Sequence, residues 1–169
     1  MNQQTSTWRA FFNLKSHSAD ANSPAGCCYA SAKQQRLLLD IFRELCASTA
    51  DAGLVLDVGC GNGLFTQSLY GSRRGVVGVD VSDEMCCLAK SNGIVACSAD
   101  ANQLPFSDEQ FDLVYGSEML QHIDDLHDIL TEVARVCRPG AKVVFSIGNR
   151  TSLVRYAARV LRRIAPRPD

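Results

Sequence analysis

The stretch that most limits what this chain can fold into is residues 54–66, Leu-Val-Leu-Asp-Val-Gly-Cys-Gly-Asn-Gly-Leu-Phe-Thr. Leu54, Val55 and Leu56 form a short apolar run of the kind buried on both faces of a parallel sheet. After Asp57 and Val58, glycine returns at alternate positions, Gly59, Gly61 and Gly63. Leu64, Phe65, Ser68 and Leu69 then follow a helical period. A glycine turn between a strand and a helix lets the backbone approach a ligand, because no Cβ intervenes. It also leaves N–H groups at the helix start without intrahelical partners, ready for an anion or a polar edge. A turn that only joined two elements has no need of three glycines, each of which gives up extra backbone entropy on folding.

The ligand is less sharply defined. A dinucleotide fingerprint has glycine at its first, third and sixth positions, and the sixth here is Leu64. Asp57, two residues ahead of the first glycine, repels a pyrophosphate and attracts an ammonium group such as that of an amino-acid-bearing cofactor. On this stretch alone both readings stay open.

Downstream, residues 75–80 read as a second buried strand ending in Asp80, followed by a helix over 82–90 with Ser82 or Asp83 as its N-cap. An acid at the end of a second strand is placed to accept two hydrogen bonds from a ribose diol; the plainer alternative is a helix cap. Residues 94–100 form a third strand closing on Asp100, and residues 111–117 a fourth closing on Ser117. A helix over 125–137 carries Leu126, Ile129, Leu130, Val133 and Val136 as its buried stripe. Arg138, Pro139 and Gly140 stop it, and residues 141–147 give a fifth strand. This alternation predicts an α/β fold, a doubly wound Rossmann-like, mostly parallel sheet with helices on both faces. Asp57, Asp80 and Asp100 then share the carboxyl edge of the sheet, where ligands of open α/β sheets bind.

Asp57-Val-Gly-Cys-Gly-Asn-Gly63 resembles motif I of the class I S-adenosylmethionine-dependent methyltransferases of the small-molecule type. Leu104-Pro-Phe106 followed by Phe111-Asp-Leu-Val114 is similar to the same family, so the resemblance covers about residues 54–147. It implies S-adenosyl-L-methionine as cofactor, with Asp57, Gly59, Gly61 and Gly63 around the methionyl end. It assigns Asp80 to the ribose, Asp100 and Ala101 to the adenine, and Ser117 to the strand end beside the transferring methyl. Met85 is a candidate rest for the adenine face, with a helix-core methionine as the alternative. In such proteins N-terminal helices cover cofactor and acceptor, which makes Tyr29 and Lys33 pocket candidates. The expected reaction is direct in-line methyl transfer to a small-molecule or lipid-like acceptor, driven mainly by alignment. His122, just past the fourth strand, is the candidate base for a hydroxyl acceptor, ahead of Glu118; the alternative is a histidine that only packs or caps. No Ser-His-Asp or Cys-His set calls for covalent catalysis. Two other readings stand beside this one. A truncated or degenerate domain would bind cofactor or a partner without turnover, and a nucleotide-dependent oxidoreductase would use the glycine turn differently.

Composition narrows the class. The 169 residues are 46% hydrophobic and 21% charged with a net charge of −1, ordinary for a soluble globular chain and without a nucleic-acid footprint. No apolar run reaches the ~20 residues of a membrane span, and the N-terminus lacks a secretory pattern, so a cytoplasmic protein is expected. The eight cysteines include no Cys-x-x-Cys pair and no histidine at zinc-finger spacing. Reduced thiols and no metal follow.

The chain divides into an N-terminal helical cap region (1–50), the cofactor-binding core (51–150) and a basic amphipathic C-terminal helix (151–169). In the last, Leu153, Ala157, Val160, Leu161 and Ile164 oppose Arg155, Arg159, Arg162 and Arg163. The preferred role is to cover the sheet with a solvated basic face; the other is weak contact of 151–164 with an anionic membrane surface. The family usually adds two strands after the fifth, the last antiparallel, and these are missing here. The sheet edge is therefore expected to be open, inviting a homo-oligomer or a partner.

Overall fold

The computed structural model describes residues 9, 10, 13, 32–46, 53–71, 75–123 and 126–147. Helix α1 (Ala32–Cys46) leads into β1 (Val55–Val58), α2 (Leu64–Tyr70), β2 (Val76–Asp80), α3 (Asp83–Ser91) and β3 (Val95–Ser98). β4 (Phe111–Ser117), a single 3-10 turn (Leu120–His122), α4 (His127–Val136) and β5 (Cys137–Ser146) follow. The strands are ordered β3-β2-β1-β4-β5 and every described pairing is parallel. The chain reverses its direction of winding between β1 and β4, the switch point at which open α/β sheets bind ligands.

Side-chain alternation along the strands builds the two layers. Val55, Val76, Leu113 and Tyr115 share one face with Phe42 of α1 and Phe65 of α2. Phe42 meets the rings of Phe65 and Tyr115 edge-on at 5.3 and 5.7 Å. On the same face Ala96, opposite Gly78, packs with Cys86 and Ala89 of α3. Leu56, Val58, Val79 and Val114 point the other way, against Ile129, Val133 and Val136 of α4. The expected fold class is therefore the observed one. Among the described residues the sheet contains no antiparallel strand, and β5 forms one of its two edges, with Val143 and, just past its end, Ile147 exposed.

Three local expectations differ from the structure. In α1, Leu38, Phe42 and Cys46 face the core, while Leu37, Ile41 and Leu45 are exposed. The helical period over 33–46 predicts one stripe of Leu37, Leu38, Ile41, Phe42 and Leu45. The buried row keeps Leu38 and Phe42 but turns one residue further round, because a run of three leucines leaves the helical phase undecided. In α4, Leu130 is likewise exposed. At its end, Arg138, Pro139 and Gly140 do not separate helix from strand: α4 passes straight into β5 at Cys137. The pairing jumps from Phe111↔Cys137 to Leu113↔Lys142, so the extra residues bulge out of the ladder, with Gly140 at φ +82°. An edge position tolerates proline here, since its missing N–H breaks no ladder. Residues 1–8, 14–31 and 148–169, including Trp8, Tyr29 and the arginines of the C-terminal segment, lie outside the described residues.

Arg135 of α4 braces the loop between β3 and β4. Its guanidinium donates to the backbone oxygens of Leu104 and Phe106, to Asp108 and to Glu132. Glu132 in turn accepts the Leu104 N–H at 2.8 Å.

Gly116, in the middle of the packed sheet, has no room for a side chain: a Cβ there would stand 2.5 Å from the Phe145 ring and 2.8 Å from the Val58 oxygen. Gly116→Ala is expected to lower stability by about 1–3 kcal/mol, the usual cost of overpacking a core. Urea unfolding at neutral pH checks this, and an unchanged midpoint would refute the close approach.

Candidate functional site

The glycine turn explains its own composition. Gly59, Gly61 and Gly63 all have left-handed backbones, with φ of +78°, +54° and +75°. L-residues with side chains rarely adopt this region. Two of the three are also crowded. A Cβ on Gly59 would stand 2.6 Å from that of Met119, and one on Gly63 would stand 3.0 Å from that of Ala89. Gly61 differs, because a Cβ there would meet nothing within 4 Å. Its backbone is bare on one side toward open space, which suits close approach by a ligand.

Asp80 holds this turn from the second strand. Its Oδ2 accepts the Gly61 N–H and its Oδ1 the Ser82 N–H, each at 2.9 Å. Burial pushes its carboxyl above the usual range, while the backbone bonds from Ser82, Gly61 and Val81 pull it back. The half-buried carboxylate sits at the carboxyl end of β2, with acceptor capacity left for a diol. The helix-cap alternative falls to its neighbour: Ser82, not Asp80, is the N-cap of α3 and takes the Met85 N–H.

Asp57 lies lower. It pairs in register with Gly78, two residues before Asp80, so it sits beneath the glycine turn rather than on the rim. It is 2% exposed and accepts the hydroxyl of Thr66 from α2. Tyr115, opposite it on β4, belongs to the same cluster. Burial raises its carboxyl to about 7, against the lowering effect of Thr66 and Tyr115.

The third acid is on the rim. Asp100 follows β3, and its Oδ1 accepts both the N–H and the side-chain amide of Asn102, at 2.9 and 2.8 Å. This fixes the turn on which half-buried Ala101 lies. Met85 is 1% exposed, so its side chain belongs to the interior in this structure. Ser117 ends β4 opposite Ser146. His122 ends the 3-10 turn beyond it, half-buried, its Nε2 3.4 Å from the amide nitrogen of Gln121. Lys33 falls in α1, in a part where only the backbone is described.

Glu118, the second candidate base, shows a further feature only in three dimensions. Glu118 has φ +58°, a costly backbone for a side chain of its size, and the type of local strain that gathers at functional sites. Its N–H is bonded to Ser146 Oγ at 2.9 Å. No sequence signal marks that backbone, because glutamate is not a residue chosen for left-handed turns. Among the described residues no group of three or more His, Cys, Asp or Glu side chains is arranged to hold a metal ion.

Comparison with known proteins matches this geometry to a family. A family profile described as Methyltransferase domain aligns with residues 56–145, more than half of the chain. The chain belongs to this methyltransferase domain family. It is 39% identical over 106 residues to the malonyl-[acyl-carrier protein] O-methyltransferase of Erwinia billingiae, covering 62% of this chain and 42% of that protein. It is 37% identical over 105 residues to the ubiquinone biosynthesis O-methyltransferase of Hahella chejuensis, covering 57% and 43%. The chain thus spans less than half the length of these two relatives. Among solved structures, magnesium protoporphyrin IX methyltransferase from Synechocystis PCC 6803, with bound SAH, superposes with a TM-score of 0.71. That match covers 96% of this chain and 80% of the other at 17% identity, and so shows a shared fold.

The Asp57 environment has a measurable consequence. In the folded chain burial pushes this carboxyl up to about 7, against 3.8 for an ordinary aspartate such as the unfolded chain presents. Between these pH values the native state holds a proton that the unfolded state has lost, so stability falls as pH rises through the window and levels off above it. At about 1.4 kcal/mol per unit, the effect is on the order of a few kcal/mol. Asp57→Asn, which still accepts from Thr66, is expected to gain on the wild type as pH is raised from about 4 to about 8. Paired urea titrations across that range check this; a constant difference would show that Asp57 ionises normally.

Proposed function

We propose that this methyltransferase-family chain binds S-adenosyl-L-methionine along the rim of β1, β2 and β3 and directs its methyl group to a small-molecule acceptor. The observation that carries the reading is the pairing of Asp80 with the bare face of Gly61. A half-buried carboxylate there stands beside backbone that no side chain obstructs. When bound, the cofactor supplies a methyl group on a sulfonium, already electrophilic, with a neutral thioether as leaving group. Asp80 accepts the ribose hydroxyls, Asp100 and the Ala101 N–H meet the adenine edge, and Gly59, Gly61 and Gly63 let the chain lie against the methionyl end. Asp57 acts from beneath through Thr66, steadying the strand-to-helix turn and adding long-range attraction for an ammonium group when ionised. Ser117 and the segment after it border the transferring methyl.

The site then has mainly to align acceptor and methyl and exclude water, and proximity supplies most of the acceleration. His122 is the base we assign for a hydroxyl acceptor. The two relatives above are O-methyltransferases, which favours an oxygen nucleophile. We also assign the protein to the cytoplasm; among the described residues no helix is long and apolar enough to cross a membrane.

Calorimetric titration with S-adenosylhomocysteine tests the cofactor site. The wild type is expected to bind, and Asp80→Asn to bind about tenfold to a hundredfold more weakly, the loss of charge-assisted bonds at about 1.5–3 kcal/mol. Circular dichroism should stay unchanged. Heat from NAD with none from S-adenosylhomocysteine would overturn the reading in favour of an oxidoreductase. With phenolic acceptors, His122→Gln is expected to lower kcat by about 10² or more while leaving cofactor affinity intact. An unchanged kcat would remove it as the base.

A further inference from the structure

Two residues near the N-terminus reach the first turn of α3. The Ser82 hydroxyl donates to Asn13 Oδ1 at 2.5 Å, and Arg9 Nη1 stands 3.9 Å from Asp83 Oδ2. Ser82 is wholly buried, so every hydrogen-bonding direction of its hydroxyl has to be met by protein. A hydroxyl has one hydrogen to give. In Ser82 that hydrogen goes to Asn13, which turns the oxygen lone pairs toward the Met85 N–H at 3.1 Å and caps α3. The N–H of Ser82 goes to Asp80 Oδ1, and Asp80 Oδ2 takes the Gly61 N–H. An unbroken series of hydrogen bonds therefore leads from Asn13 through Ser82 and Asp80 to the glycine turn. It joins points 69 residues apart in sequence by its first bond alone.

We propose that Asn13 is a positioning residue for cofactor binding: by taking the Ser82 hydroxyl hydrogen it keeps Asp80 aimed and available for the ribose diol. The proposal rests on the assignment of Asp80 above. Asn13 touches no part of the cofactor in this scheme and acts through Ser82. With an apolar side chain in its place, the buried Ser82 hydrogen loses its acceptor. Asp80 Oδ1 already accepts the N–H of the same residue, and in this scheme the released hydroxyl turns to that carboxylate. An Asp80 oxygen taken by Ser82 is no longer presented to the diol, so affinity falls at the ribose end although the fold survives.

The test is calorimetric titration of S-adenosylhomocysteine into the wild type, Asn13→Leu, Asn13→Ala, Asn13→Asp, Asp80→Asn and the Asn13→Leu/Asp80→Asn double variant. Asn13→Leu is expected to weaken binding about tenfold, the worth of one hydrogen bond to a charged group. Asn13→Asp, which keeps the accepting oxygen, should recover most of that loss. In the Asp80→Asn background the Asn13→Leu change should cost little more, since its route runs through Asp80. A merely structural role for Asn13 would lower the melting temperature of the free protein and leave this non-additivity absent. Should Asn13→Leu not fold, Asn13→Ala carries the same comparison without added bulk. Wild-type affinity in both Asn13→Leu and Asn13→Ala, or an equal loss with and without Asp80, overturns the proposal. A wild type that does not bind S-adenosylhomocysteine overturns the assignment of the cofactor itself, and this proposal with it; a wild type that binds while Asn13 proves neutral overturns this proposal alone.

Discussion

The hydrogen bond from the Gly61 N–H to Asp80 is the interaction on which the site depends. Three left-handed glycines give a turn many available shapes. A single carboxylate at the end of the adjacent strand selects among them by fixing the middle glycine. The same carboxylate fixes the start of α3 through Ser82, so the turns after β1 and after β2 are set by one side chain. Partial burial makes its charge costly, and the three backbone N–H groups directed at it offset that cost. The rim is thereby organised before any ligand arrives, which lowers the conformational entropy lost on binding.

Asp57 and Asp80 show how little residue type decides alone. Both are aspartates near the carboxyl ends of neighbouring strands and both have raised carboxyls. One is walled in by Thr66 and Tyr115; the other opens onto the edge. Two residues of register separate these fates, since Asp57 pairs with Gly78 rather than with Asp80. A buried cluster of this kind, closed under a turn, stiffens the turn from below without meeting a solute.

Much of this was legible in the sequence. Apolar runs closing on acids located β1, β2 and β3, and residue type and position narrowed the cap of α3 to Ser82 or Asp83, of which the structure uses Ser82. What the sequence withheld was relative depth, because which acid lies on the rim depends on how strands align, and alignment is a property of pairs. The direct passage of α4 into β5 was hidden by Pro139 and Gly140, which usually separate elements but here occupy an edge irregularity. The exposed phase of α1 was hidden by its consecutive leucines, which satisfy more than one helical face. Glu118 was a candidate base by position, but its left-handed backbone gave no sign, since that is imposed by its surroundings rather than preferred by its side chain. Asn13 gave none either: a polar residue in a mixed segment has a partner only once the chain has folded back.

The Arg135 brace bears on how a ligand gets in and out. By gripping Leu104, Phe106 and Asp108 at once, one side chain turns the stretch beyond Asp100 into a fixed wall. A nucleoside bound as proposed would meet that wall, with no hinge in the braced stretch.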